Sequence, residues 1–255
     1  MKKQLFALLF ALVPFSAMAA PAAGLPYTMT PDLQDEASIQ RGMQFYTNYC
    51  MGCHSLEFQR FARVAEDFDI PQDLVEENLI FSDALKFNDQ MHIAMGSGDA
   101  ESWFGAAPPD LSLEARLRGA DWIYSYLLTF YKDPSTGTGV NNEVFPLVAM
   151  PNVLEPLQGV QERVCAESDR PIEGAELDPL TGKYQSCDVL QVTSPGSMKP
   201  DEFEEAVYDL TNFLVYVGEP SKLHAQTLAP KVLIFIFIFG VIAYLLKREY
   251  WRDVH

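Results

Sequence analysis

The chain has 255 residues, is 48% hydrophobic and carries a formal net charge of −17. A field that acidic repels nucleic acid and anionic lipid and favours a basic protein partner. Its four cysteines, at 50, 53, 165 and 187, form one close pair and one distant pair, which excludes a four-cysteine zinc site with matched halves.

Met1-Lys2-Lys3, the apolar run Leu5 to Val13 and the small residues Ala17-Met18-Ala19-Ala20 have the layout of a secretory signal peptide, assigned to residues 1–19. Residues 20–227 then form one exported domain, with no internal repeat. Its first helix is expected to start near Asp35 or Ser38. Ile39, Met43, Tyr46 and Cys50 follow at 4-3-4 spacing on one face.

That face leads into Cys50-Met51-Gly52-Cys53-His54. Two thiols one helical turn apart can each add across a haem vinyl group, and an imidazole directly after the second can reach the iron. A thioredoxin-like pair would lie at a strand end in a βαβ pattern, but the residues from Ala37 to Tyr49 read as helical. One covalently bound haem c is therefore expected.

Further helices are expected from Ser82 to Met95, stopped by Gly96-Ser97-Gly98, and from Asp110 to Tyr131. Trp122, Tyr124 and Tyr126 in the latter read as core or haem-wall aromatics. A sixth iron ligand separates electron transfer from gas or peroxide chemistry. Met150 is the favoured candidate, because Pro146 and Pro151 hold its apolar segment non-helical and able to present one thioether. Met91 and Met95 fall on a helical pattern where methionine fills a core, Met198 lies in a polar turn, and His92 and His224 are isolated histidines.

Residues 151–200 are acidic, rich in Pro and Gly, and read as an inserted loop. It contains Cys165 and Cys187, bridged in an oxidising compartment or else free. An amphipathic helix follows from Pro200 to Gly218, with Phe203, Val207, Leu210 and Leu214 at core spacing. Residues 228–246 then read as a transmembrane anchor, and the basic tail 247–255 places the C-terminus in the cytoplasm. The fold class is mainly α: a cytochrome c-like haem domain with long loop insertions and one C-terminal transmembrane helix.

Arg41-Gly42 ahead of the haem motif, Pro108-Pro109-Asp110-Leu111-Ser112, Ala149-Met150-Pro151 and the anchor ending Lys247-Arg248-Glu249-Tyr250-Trp251 together resemble the cytochrome c1 family. The resemblance covers nearly the whole mature chain, in order. It implies the haem-bearing subunit of a bacterial cytochrome bc1 complex, the quinol:cytochrome c oxidoreductase of the respiratory chain. Such a chain accepts electrons from a Rieske iron–sulfur protein and passes them to a basic cytochrome c, beside cytochrome b and in a dimeric assembly. It lies in the inner membrane with its haem domain in the periplasm. As a lone chain it is an electron-transfer subunit; enzymatic activity rests with the assembly, and the quinol chemistry with cytochrome b.

The resemblance further implies that Cys50 and Cys53 anchor the haem, that His54 and Met150 are its axial ligands, and that Arg116 meets a propionate, with Arg118 close enough in sequence to confuse the register. A carbonyl of the Pro108-Pro109 segment is expected to accept the second N–H of His54. Two other readings remain: a tethered cytochrome c that shuttles electrons to a terminal oxidase, and a haem sensor or peroxidase. A tethered carrier needs a smaller domain and a long linker; the sensor or peroxidase needs an open or labile sixth position.

Overall fold

The computed structural model describes residues 24–168 and 175–252. The expected signal peptide and residues 253–255 of the tail lie outside them.

Asp35 caps the first helix, α1 (Glu36–Tyr49), its carboxylate accepting the N–H of Ser38 at 3.0 Å. α1 buries Ile39, Met43 and Tyr46, and Cys50 continues the stripe. Next come β1 (Leu56–Arg60), α2 (Phe61–Asp67), α3 (Gln72–Asn78), β2 (Gln90–Met91), α4 (Ser97–Phe104), α5 (Glu114–Arg118) and α6 (Ala120–Leu128). The C-terminal part holds β3 (Phe130–Lys132), β4 (Val140–Asn142), α7 (Glu155–Gln158), β5 (Gly159–Ser168), β6 (Glu176–Leu177), β7 (Tyr184–Pro195), α8 (Pro200–Gly218) and α9 (Lys222–Tyr250). About 46% of the described residues are helical, against three small antiparallel sheets among them, so the mainly α class holds.

The core is built where α1 crosses α8. A side chain at Gly42 would put its Cβ within 2.1 Å of the carbonyl oxygen of Asp209, so only glycine lets the two backbones come this close. Phe203, Val207, Leu210 and Leu214 of α8 all face the core. Beside the crossing, Arg41 grips the buried Asp209 with Nε 2.6 Å from Oδ2 and Nη2 2.9 Å from Oδ1. The fork matches the carboxylate and fixes the axial register of the helices.

Three sequence expectations change. The stretch Ser82 to Met95 is not helical: it forms turns and then β2, and its carbonyls serve neighbours, Phe87 O accepting Ala62 N–H at 2.9 Å. The helix instead begins at Ser97, inside the segment read as a stop. The expected Asp110–Tyr131 helix is two helices, broken at Gly119, whose φ of 89° closes α5 and turns the chain into α6.

The segment read as an acidic loop is largely folded. β5 pairs with β7, and β7 with β6, in an antiparallel sheet. Cys165 and Cys187 are joined by a disulfide between β5 and β7, where the register breaks between Val164 and Ala166.

Beyond the domain, α9 contains the 24-residue stretch Thr227–Tyr250, within which an 18-residue apolar segment has a mean hydropathy of 2.4 and is not buried by the rest of the described chain. At about 1.5 Å per residue, its length exceeds the roughly 30 Å of a bilayer's hydrocarbon core.

Candidate haem site

The end of α1 delivers the motif. Cys50 caps the helix, and the N–H groups of Cys53 and His54 both return to its carbonyl, at 3.1 and 2.9 Å, so thiols and imidazole share one tight turn. The fully buried Tyr46 donates its hydroxyl to the backbone carbonyl of His54 at 2.6 Å, fixing the turn to the helix it leaves.

Cys50, Cys53, His54 and Met150 line one cavity of about 320 Å³, within the roughly 300–1,000 Å³ of cofactor pockets. Its walls are mostly apolar: Pro108, Pro109 and Leu111 from the segment before α5, Trp122, Ile123, Tyr126 and Leu127 from α6, Phe145 and Val148 from the loop carrying Met150, and Leu210 and Leu214 from α8. Burial, with a smaller push from Cys53, raises the Cys50 thiol to about 12. A wall that disfavours a thiolate suits the neutral sulfur of a thioether, so the donor set fits a covalently held haem better than a thiolate-bound metal.

The imidazole is oriented as the Pro108-Pro109 segment led one to expect. His54 Nδ1 donates to the carbonyl oxygen of Pro109 at 2.7 Å. That bond fixes the proton on Nδ1 and leaves Nε2 as the ligand nitrogen. Burial lowers the pKa of His54, against the opposing pull of the Pro109 bond and of Asp110 and Glu114, so the neutral, ligating form is favoured.

Asp110 ties this segment to the motif, a role not read from the sequence. Its Oδ2 accepts from Ser55 Oγ at 2.8 Å and from Glu57 N–H at 2.7 Å, while Oδ1 accepts the N–H of Ser112 at 2.9 Å. Burial alone would raise the Asp110 pKa, but the bonds from Ser112, Glu57 and Ser55 hold it below the usual carboxylate value.

Met150 is held by two asparagines that also went unremarked in the sequence. Asn142, fully buried, accepts from the N–H groups of Val144 and Phe145 at 2.9 and 3.0 Å and donates to the carbonyl of Tyr126 at 2.7 Å. Asn141 Oδ1 accepts the N–H of Leu147 at 2.8 Å, where the backbone turns through a φ of 60°. Adjacent Asn-Asn ahead of a Pro-bounded segment was the signal available for this bracket.

The other ligand candidates lie elsewhere. Met91 is buried in the core, Met198 packs against it, and Met95 and His92 line a separate, more polar hollow beside Cys53. His224 is exposed at the start of α9, with Nε2 3.6 Å from Asp67 Oδ1.

Arg116 stands apart from the cavity residues. It is exposed, packs its Cβ against Gly218 and does not line the cavity. Two residues on, Arg118 does line it, with Nε 2.7 Å from Glu114 Oε2 and its guanidinium 4.2 Å from the centre of the Trp122 ring. Two positions along a helix turn a side chain by about 200°, so the two arginines lie on different faces.

Two thiols, an oriented imidazole and a braced thioether around one apolar cavity in a mainly helical domain define a cytochrome of the c type. The sequence matches the model of the Cytochrome C1 family over residues 28–162, which include every cavity residue except Leu210 and Leu214. It is 41% identical over 255 residues, 100% of each chain, to cytochrome c1 of Allochromatium vinosum. It is 43% identical over 224 residues to the ammonia monooxygenase gamma subunit of Nitrosomonas europaea, covering 88% of this chain and 86% of that one. Against cytochrome b/c1 of Bradyrhizobium diazoefficiens the identity is 26% over 258 residues, covering 87% of this chain and 34% of that one. The chain belongs to the Cytochrome C1 family and is a haem c protein of electron transport.

Proposed function

We propose that the chain binds one haem c through thioethers from Cys50 and Cys53, with His54 and Met150 as axial ligands. On this reading it serves as the c-haem subunit of a cytochrome bc1 complex, taking electrons from a Rieske iron–sulfur protein and passing them to a basic cytochrome c. The observation that carries the reading is that, of all the ligand candidates weighed from the sequence, His54 and Met150 alone line the same cavity as both thiols. Bound there, haem supplies reversible one-electron exchange. The chain's own residues hold the imidazole proton on Nδ1 through Pro109, present the thioether through Asn141 and Asn142, and keep water out with the aromatics of α6. The relative named cytochrome b/c1 supports an assembly with cytochrome b. The length of Thr227–Tyr250, with Lys247 and Arg248 in its last turn and Arg252 just beyond it, supports a single pass through the bacterial inner membrane, with the haem domain in the periplasm and the tail in the cytoplasm. A dimeric complex follows from the same family reading.

Purification through a C-terminal tag in mild detergent tests this, with reduced-minus-oxidised haem spectra and quinol-driven reduction measured on one sample. Co-purifying b-type haem and inhibitor-sensitive reduction of the c haem are expected. A c haem that purifies alone, even after cross-linking, overturns the reading in favour of the tethered carrier.

A further inference from the structure

Tyr126 stands out among the cavity residues because its polar atom meets a sulfur. Its hydroxyl lies 3.3 Å from Met150 Sδ, with the O–H as donor. A thioether is a weak acceptor, and a buried hydroxyl chooses one only where the ring is held in place. Here it is held on several sides. Trp122 stacks on the ring at 5.0 Å and 9°, and Phe130 meets it edge-on at 5.0 Å. The backbone carbonyl of Tyr126 is bound by Asn142, which also anchors the loop before Met150. Arg118 covers the outer face of Trp122 at 4.2 Å. Donor and acceptor are thus positioned by one shared bracket, and the contact does not depend on a free rotor.

We propose that the Tyr126 hydroxyl, by its hydrogen bond to Met150 Sδ, is the residue of this chain that tunes the strength of the thioether ligand and so sets the reduction potential and the lability of the ferric site. The inference rests on Met150 being that ligand. Sulfur has two lone pairs: one serves the iron, and the other accepts the hydroxyl proton. The O–H draws density from the sulfur and makes it a poorer donor. The ferric state depends more on that donation than the ferrous state does. The bond therefore raises the potential and makes the ferric thioether easier to displace. Tyr124, two residues away, is a suitable control: its half-buried ring meets Tyr27 edge-on at 6.3 Å, and it does not line the cavity.

The test is made on the haem-loaded full-length protein in detergent. It combines a redox titration, the far-red sulfur-to-iron charge-transfer band of the oxidised form, and displacement of the ferric ligand by imidazole. Tyr126→Phe should keep the band and shift the ferrous–ferric equilibrium roughly three- to tenfold toward ferric, tenfold being 59 mV for one electron. It should also need several-fold more imidazole for displacement. Tyr126→Leu, equally without a donor, should move both readouts in the same direction, and Tyr124→Phe should move neither. A Tyr126→Phe protein that keeps the band and titrates like the parent, or whose potential rises, overturns the proposal while leaving the Met150 ligand standing. Equal shifts in Tyr124→Phe overturn it as well. Absence of the band from the unmutated protein overturns the Met150 ligand itself, and the tuning with it.

Discussion

His54 Nδ1 and the carbonyl oxygen of Pro109 stand 2.7 Å apart across 55 residues of sequence, so the haem motif and the Pro-Pro segment act as one structural unit. Asp110 locks that unit by accepting from Ser55, Glu57 and Ser112. Asp110→Ala leaves those donors unpaired and should cost about 2–3 kcal/mol, with Asp110→Asn losing less. The folded-state pKa of Asp110 is depressed, so its contribution is fully present above the ordinary carboxylate value and is lost as pH falls through the lower, folded one. Thermal unfolding of the haem-loaded protein should therefore show an acid-side fall in stability that is smaller in Asp110→Asn. Parallel acid limbs in the two proteins would rule this out.

Arg118, rather than Arg116, is the cationic neighbour of the cavity. A positive charge beside a redox centre favours the reduced form, so Arg118→Ala should lower the reduction potential, and Arg116→Ala should leave it unchanged. Redox titration of both variants decides the register. A potential that moves only in Arg116→Ala would restore the expectation from the sequence.

The difference between those arginines illustrates what the sequence made legible. Chemistry encoded at fixed short spacing was readable: the Cys-x-x-Cys-His turn, the proline-bounded Met150, and the α8 stripe at 203, 207, 210 and 214, all of which the fold arranges as their patterns imply. Features decided by distant partners were not. Residues 82–95 have a helical pattern, but the carbonyls of Phe87 and Asp89 are taken by the start of α2, and tertiary bonding overrides local propensity. Residues 159–195 lack clean alternation because much of the β5–β7 ribbon is exposed and has no single apolar face to impose a period of two. No motif marked Asn142; Asp110 and Tyr126 stood in segments the sequence singled out, but the bonds through which they act, to Glu57 and to Met150, reach beyond those local patterns.

The Cys165–Cys187 bridge closes 22 residues in an exposed ribbon that contributes no side chain to the haem cavity. Its loop-closure contribution is about 3 kcal/mol. Reduction, or the double change to alanine, should lower the stability of the β5–β7 ribbon and speed its proteolysis while leaving the haem spectrum and potential unchanged. Mass spectrometry after alkylation without reductant would first show the bridge intact; two alkylated thiols would remove the premise.

Gly42 sets how close α1 comes to α8. An added Cβ would sit within 2.1 Å of the Asp209 carbonyl oxygen and 2.7 Å of the Phe213 Cβ, neither of which can swing aside. Gly42→Ala must push the helices apart, at a cost of about 3 kcal/mol or more. Since α1 carries Cys50, Cys53 and His54 at its end, the haem-stained yield should fall together with thermal stability. Normal yield and midpoint would show that the crossing relaxes freely.

Asn142 offers the sharpest separation of the two iron ligands, because its bonds to Val144, Phe145 and the Tyr126 carbonyl brace the Met150 loop and touch nothing on the His54 side. Asn142→Ala strips three part-buried backbone groups of their partner, a loss of about 1–3 kcal/mol concentrated on that loop. The haem should stay attached, since both thiols and His54 sit on the α1 turn, while the ferric thioether becomes easier to displace and the charge-transfer band weakens. Asn142→Asp keeps the acceptor for Val144 and Phe145 but loses the donor to Tyr126, and should fall between the alanine variant and the parent. Imidazole titration of the three oxidised proteins orders them directly; equal affinities would mean that the loop holds its shape without the asparagine.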